Sequence, residues 1–166
     1  YDVDISSDGS YCLIVDSSNH QIRKIIISTQ EVSLFAGDSS KTTGAINGVG
    51  SNAQFNTPRG VTISSDNSYC LISDGANLQI RKITISTQEV SLFAGSTYGN
   101  VNGVGSNSKF SNPFGITISP DGSYSLVADS SINQIKQIII STQEVSLFAE
   151  SALGSANGIG SNAQFY

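Results

Sequence analysis

Along residues 60–95 the apolar and polar positions follow a strand rhythm. GVTIS (60–64) alternates, SDNS supplies a turn, and YCLIS (69–73) is a continuous apolar run. After the loop DGANLQ, IRKITIS (80–86) mixes apolar and cationic residues, and EVSLFAG (89–95) alternates again. Runs of this length bounded by Ser, Asn and Gly read as four short strands. No apolar stripe at i, i+3, i+4, i+7 persists, so no helix is predicted.

The same pattern occurs three times. STQEVSLFAG begins at Ser28 and Ser86, and its first nine residues return at Ser141. Asp16, Asp74 and Asp129 correspond, as do Phe55, Phe110 and Phe165. The period is about 55 to 58 residues, which points to a propeller blade or a solenoid unit. The connection AGDSSKTTGAINGVGSNAQF is three residues longer than AGSTYGNVNGVGSNSKF, and the difference falls in a Ser/Thr/Gly stretch suited to a surface loop. The first turn reads SSDGS, SSDNS and SPDGS; Gly9, Asn67 and Gly122 there accept the positive φ of a tight turn.

The stretch FNTPRGVTISSDNSYCLISDGANLQIRKITISTQEVSLFAG resembles the NHL repeat, in the version with an AG…NG.G..A.F..P.G crossover. Phe55, Pro58, Gly60, Asp74, Asn77, Gln79, Ile80, Ile83, Phe93, Ala94 and Gly95 carry the resemblance, which covers essentially the whole chain three times. Asn47, Asn102 and Asn157 depart from it, since the family usually shows Asp there. The resemblance implies an all-β fold: β-propeller blades of four antiparallel strands, this chain supplying three blades, half of a six-bladed ring. The expected units are residues 1–56, 57–111 and 112–166, each a blade with its crossover.

Stacked sheets bury both faces of their inner strands, so YCLIV need not alternate. Phe55, Phe110 and Phe165 are expected to plug the gaps between blades. The fourth strand is expected to be an exposed edge guarded by Glu31, Glu89 and Glu144.

Composition narrows the chemistry. Apolar residues make up 38% and charged residues 13%, enough apolar material for a core. Eight Lys and Arg against thirteen acids leave a net charge of −5, a poor match to nucleic acid. No apolar run approaches the roughly 18 residues of a membrane span, so no membrane insertion is expected. No Met is present, consistent with a processed chain or a piece of a longer one. Cys12 and Cys70 occupy equivalent positions, Ser125 the third; a site that accepts Ser is not an obligatory bridge, and both read as small buried thiols.

Four groups could carry chemistry. Asp16, Asp74 and Asp129 would lie in a ring able to hold Ca²⁺, or each would cap its own loop by accepting backbone N–H bonds. Arg23, Arg81 and Lys136 would meet an anionic partner, or form a ladder of solvated cations. His20 is the only histidine, with Leu78 and Asn133 in its place elsewhere, too isolated for a metal site or a Ser–His–Asp triad. NGVGSNAQF contains Gly-x-Gly but precedes no helix, so it makes a poor phosphate cradle. The expectation is therefore no enzyme, no cofactor and no metal.

The function expected is a structural or interaction protein that assembles with further copies or further repeats into a closed propeller or filament. An alternative is an extracellular propeller whose loops DSSKTTGAI and STYGNV recognise a protein or glycan, and less so half of a propeller enzyme. The Ser/Thr/Asn-rich, Lys-poor surface favours an extracellular or cell-surface home. Tyr1 aligns with Arg59 and Phe165 with Phe110, so the expected assembly interface includes Tyr1, Val3, Phe165 and Tyr166. Three peptide links reach at most about 11 Å, which sets the expected distance from Tyr166 of one copy to Tyr1 of the next.

Overall fold

A computed structural model of the chain describes residues 2–150, 154–162, 164 and 165; Tyr1 and Tyr166 lie outside the described residues. Three antiparallel sheets follow one another along the chain. The first contains β1 (Val3–Ile5), β2 (Tyr11–Asp16), β3 (Gln21–Ile26) and β4 (Val32–Ala36), in that order. The second contains β6 (Pro58–Ile63), β7 (Tyr69–Asp74), β8 (Gln79–Thr84) and β9 (Glu89–Ala94). The third contains β11 (Pro113–Ile118), β12 (Tyr124–Asp129), β13 (Gln134–Ile139) and β14 (Glu144–Glu150).

Each sheet is an up-and-down meander because short polar turns join strands whose apolar residues face both neighbours. The first turn of each meander is held by one aspartate. Asp66 Oδ1 accepts from the Ser64 hydroxyl at 2.6 Å and from the Ser68 hydroxyl and N–H, and Asp8 and Asp121 repeat the pattern. Gly9, Asn67 and Gly122 all have positive φ, as the turn chemistry requires.

Two apolar layers lie between the sheets. Leu13, Val15, Ile22 and Phe35 of the first sheet meet Val61, Ile63, Cys70, Ile72, Ile83 and Val90 of the second. Leu71, Ile80 and Phe93 of the second meet Ile116, Val127, Ile138 and Val145 of the third. In β7, Cys70 and Ile72 therefore face one neighbour and Leu71 the other, which is why YCLIS shows no alternation. Phe55 and Phe110 sit in these layers, fully buried. Cys12 and Cys70 are free and buried.

The crossovers add something the four-strand pattern does not contain. Residues of the first crossover form β5 (Gly48–Val49), which pairs with β9 in the register Gly48↔Val90, Val49↔Glu89. Residues of the second form β10 (Gly103–Val104), which pairs with β14 as Gly103↔Val145, Val104↔Glu144. The outer edges at Glu89 and Glu144 are thus covered by a strand from the preceding repeat, where these glutamates and their neighbouring serines were expected to guard an exposed edge. Among the described residues no strand pairs with the outer edge of β4. Among them, too, no helix is long and apolar enough to cross a membrane.

Candidate functional site

The recurring Asp and Arg/Lys positions meet at the junction between one sheet and the preceding crossover. Asp74 closes β7 and Arg81 lies on β8, two strands paired through Asp74↔Gln79. Asp74 accepts from the Asn56 N–H at 2.8 Å, from Asn77 Nδ2 at 2.8 Å and from Arg81 Nη1 at 3.2 Å. Arg81 also donates to the Gln54 and Ile46 carbonyls and, at 2.6 Å, to Asn47 Oδ1. Its guanidinium lies 5.5 Å from the centre of the Phe55 ring. Asn47, Gln54, Phe55 and Asn56 all belong to the first crossover, so the buried ion pair is a socket into which that crossover locks.

The third sheet repeats the arrangement with lysine. Asp129 accepts from the Ser111 and Asn112 N–H groups, and Lys136 Nζ donates to the Lys109 carbonyl at 2.8 Å. The Phe110 ring centre is 5.2 Å from that ammonium. Burial pulls Arg81 and Lys136 below the usual range of their types, against the pull of the neighbouring aspartate. Burial likewise pushes Asp74 up to about 6, against its bonds from Asn56, Asn77 and Arg81.

Two expectations are corrected here. None of the three aspartates caps its own loop with a backbone bond: Asp74 and Asp129 take backbone N–H groups from the crossover of the preceding repeat, while Asp16 accepts from the local Asn19 side chain, as Asp74 does from Asn77. Arg81 and Lys136 are not solvated cations; both are fully buried. The sequence places these residues some 18 to 35 positions from their partners, beyond any local motif. Among the described residues no three His, Cys, Asp or Glu side chains stand together as metal ligands. His20 sits at φ 56 and its Nδ1 accepts from the Thr57 N–H, tying the first loop to the start of the second sheet.

The first sheet has the socket, and among the described residues no crossover fills it. Arg23 Nη1 stands 4.0 Å from Asp16 Oδ2, and the Arg23 side chain keeps 32% of its exposure where Arg81 keeps none. Asp16 Oδ1 is buried with no hydrogen-bond partner among the described residues. Val3, Ile5 and Val32 lie exposed, whereas the equivalent Val61, Ile63 and Val90 are buried. The contrast is large: 57% for Val3 against 3% for Val61.

The third sheet presents the complementary face. Phe148 is 51% exposed, against 3% for its counterpart Phe93. It lines an apolar groove of about 410 Å³ with Ile116, Leu126, Ile135 and Phe165. Phe165 keeps 38% exposure, against none for Phe55 and Phe110. Burying such a side chain contributes about 1.5–3 kcal/mol. Val3 and Phe165, expected at an assembly interface, thus sit on the two uncovered faces; Tyr1 and Tyr166, expected with them, lie outside the described residues.

Comparison with known proteins bears on these repeats. NHL repeat-containing protein 2 of Bos taurus is 30% identical over 155 residues, and that of Homo sapiens 30% identical over 152. The match covers 87% and 86% of this chain. The repeats are thus similar to a stretch of NHL repeat-containing proteins. The chain spans about a fifth of these relatives, 21% of their length, and no family model matches it. A structural genomics protein of unknown function from Bacteroides thetaiotaomicron superposes with a TM-score of 0.77 at 23% identity, over 99% of this chain and 39% of that one. An auxiliary nutrient binding protein from the same bacterium superposes with a TM-score of 0.71 at 22% identity, over 87% of this chain and 36% of that one. These likenesses show the propeller-type fold of the chain and, at such identities, nothing about its activity.

Proposed function

We propose that this chain is a non-enzymatic structural or interaction protein. Its blades assemble with further copies, or with further repeats, into a closed propeller or a filament. One observation carries the reading: residues that are buried between sheets in the second repeat are exposed on the first, and residues buried on the trailing side of the second are exposed on the third. Two complementary apolar faces on opposite sides of one unit make a head-to-tail contact, which closes as a ring or continues as a fibre. The non-enzymatic part is supported by the fate of the recurring charged side chains. Asp74, Arg81, Asp129 and Lys136 are spent on holding crossovers and are covered from solvent. The Ser/Thr/Asn-rich, Lys-poor surface supports an extracellular or cell-surface setting. Sedimentation velocity over a concentration series tests assembly with further copies: a species of two or more copies is expected, and a monomer at every concentration contradicts that self-association.

A second reading is supported by Tyr98 and Ile46, which stand exposed on the two long crossovers. Both lie in the loops a ligand-binding propeller would present, and one structurally similar protein is a nutrient binding protein. Isothermal titration with soluble glycans and with Tyr98→Ala as control tests it; no heat from any glycan contradicts it.

A further inference from the structure

The third crossover already has the shape of the two that are docked. In the first, the Gly44 N–H donates to the Phe55 carbonyl and the Gln54 N–H to the Ile46 carbonyl. In the third, the Gly154 N–H donates to the Phe165 carbonyl at 3.2 Å and the Gln164 N–H to the Ala156 carbonyl at 2.8 Å. Gly160 has φ 55, as Gly50 has 55 and Gly105 has 54. Its sequence, GIGSNAQF, differs from the docked GVGSNAQF by one methylene. A segment held in its bound conformation forfeits little entropy on docking.

The first sheet holds the matching receptor. Its turn before β4 places Gln30 at φ 59, as Gln88 has 58 and Gln143 has 59, and the latter two carbonyls accept the Gly50 and Gly105 N–H groups at 3.0 Å. The bare β4 edge carries the same Glu-Val pair that receives β5 and β10. Asp16 Oδ1 lacks a donor where Asp74 receives the N–H of the residue following Phe55.

We propose that this leading face of the first sheet is the docking surface for the 157–165 crossover of a second copy of the chain. Ile159 of that crossover pairs opposite Glu31, the Gly160 N–H donates to the Gln30 carbonyl, Arg23 donates to Asn157 Oδ1, and Phe165 is buried against the Arg23 guanidinium. The inference rests on the self-association proposed above and adds the surface and the register. It selects a second copy because both halves of the contact, socket and plug, are already encoded in this one chain and are already seen joined twice within it.

Disulfide trapping tests it on the full chain with Cys12 and Cys70 replaced by Ser, the residue present at position 125. Chains carrying Glu31→Cys are mixed with chains carrying Ile159→Cys under mild oxidation. Directly opposed residues in an antiparallel pair lie about 4.5–5.5 Å apart at Cα, within disulfide reach. A covalent dimer is expected from this pair. None is expected when Glu89→Cys replaces Glu31→Cys, because Val49 already occupies that edge. Arg23→Glu, with the circular dichroism of the parent, is expected to weaken association by roughly tenfold or more, and Arg23→Lys to restore most of it, as Lys136 serves in the third sheet. An assembled preparation that gives no Glu31–Ile159 link, or that links Glu89 as readily, overturns the docking surface and leaves self-association standing. A chain that sediments only as a monomer, whether because further repeats or an unrelated protein cover the faces, overturns both.

Discussion

Arg81 Nη1 and Asp74 Oδ2 stand 3.2 Å apart with both side chains fully buried, while Arg23 and Asp16, the same pair one repeat earlier, stand 4.0 Å apart with their side chains 32% and 14% exposed. The difference is the crossover. Gln54, Ile46 and Asn47 accept from the two Nη groups of Arg81 and cover the pair from solvent, leaving only Nε buried without a partner among the described residues. Removing one partner of a buried pair leaves an uncompensated charge, so Arg81→Ala is expected to cost about 3–5 kcal/mol. Arg23→Ala on the dilute chain is expected to cost under about 1 kcal/mol, the usual worth of an exposed pair. Urea unfolding midpoints of the two variants check the contrast.

The turn aspartates make stability depend on acid. Hydrogen bonds, first from Ser6, Ser64 and Ser119 respectively, hold Asp8, Asp66 and Asp121 at about 2, below their ordinary 3.8. A group whose folded value is depressed stabilises the fold above its unfolded value, and that contribution disappears as pH falls from about 4 to about 2. The triple Asp→Asn variant is therefore less stable than the parent at pH 6, and the gap closes between pH 4 and 2. Asp74 acts in the opposite sense: with its folded value raised to about 6, it favours folding most below pH 4 and progressively less as pH rises through 6. Unfolding midpoints measured from pH 2 to 7 check both arms.

Gly95 ends β9 at φ 88, and a Cβ there would meet the Leu78 carbonyl oxygen at 2.5 Å. Both conformation and space exclude a side chain. Gly95→Ala is expected to cost about 1–3 kcal/mol. Gly115→Ala is the control, because its Cβ would meet only the Ala128 methyl at 4.0 Å; there the change is expected to stay within about 1 kcal/mol. Thermal melts of the two variants separate them.

Cys70 is fully buried, and burial pushes its thiol well above the usual range. It is expected to resist alkylation by iodoacetamide at pH 8 in the native chain and to react on unfolding. A non-reducing peptide map is expected to show no Cys12–Cys70 link.

Much of the fold could be read from local pattern. YCLISD and IRKIT announced paired inner strands, and Asp66 with Asn67 announced the turn between β6 and β7. The crossover strands could not be read this way, since two residues such as Gly48 and Val49 carry no periodicity and their partner, β9, lies some forty positions away. The same distance hid the role of Arg81. Next to Lys82 it reads as part of a basic surface, and only the arrival of Asn47 and Gln54 from the preceding repeat makes it a buried anchor. Gln30, Gln88 and Gln143 gave no warning either: they hold positive φ with a residue type that seldom adopts it, and the Gln88 and Gln143 carbonyls receive the crossovers. Position 150 departs from the repeat for a visible reason. Without the glycine found at Gly37 and Gly95, β14 continues one residue further than β9.

The central claim is that each crossover docks on the outer edge of the sheet that follows it, and that the third does so on another copy. Amide hydrogen exchange at Gly50, Gly105 and Gly160 reads this directly. Gly50 and Gly105 donate to Gln88 and Gln143 within the chain and are expected to be protected at every concentration. Gly160 is expected to exchange fast in dilute solution and to gain comparable protection as the chain assembles. A Gly160 amide that stays unprotected in a preparation sedimenting as an assembly would contradict the account.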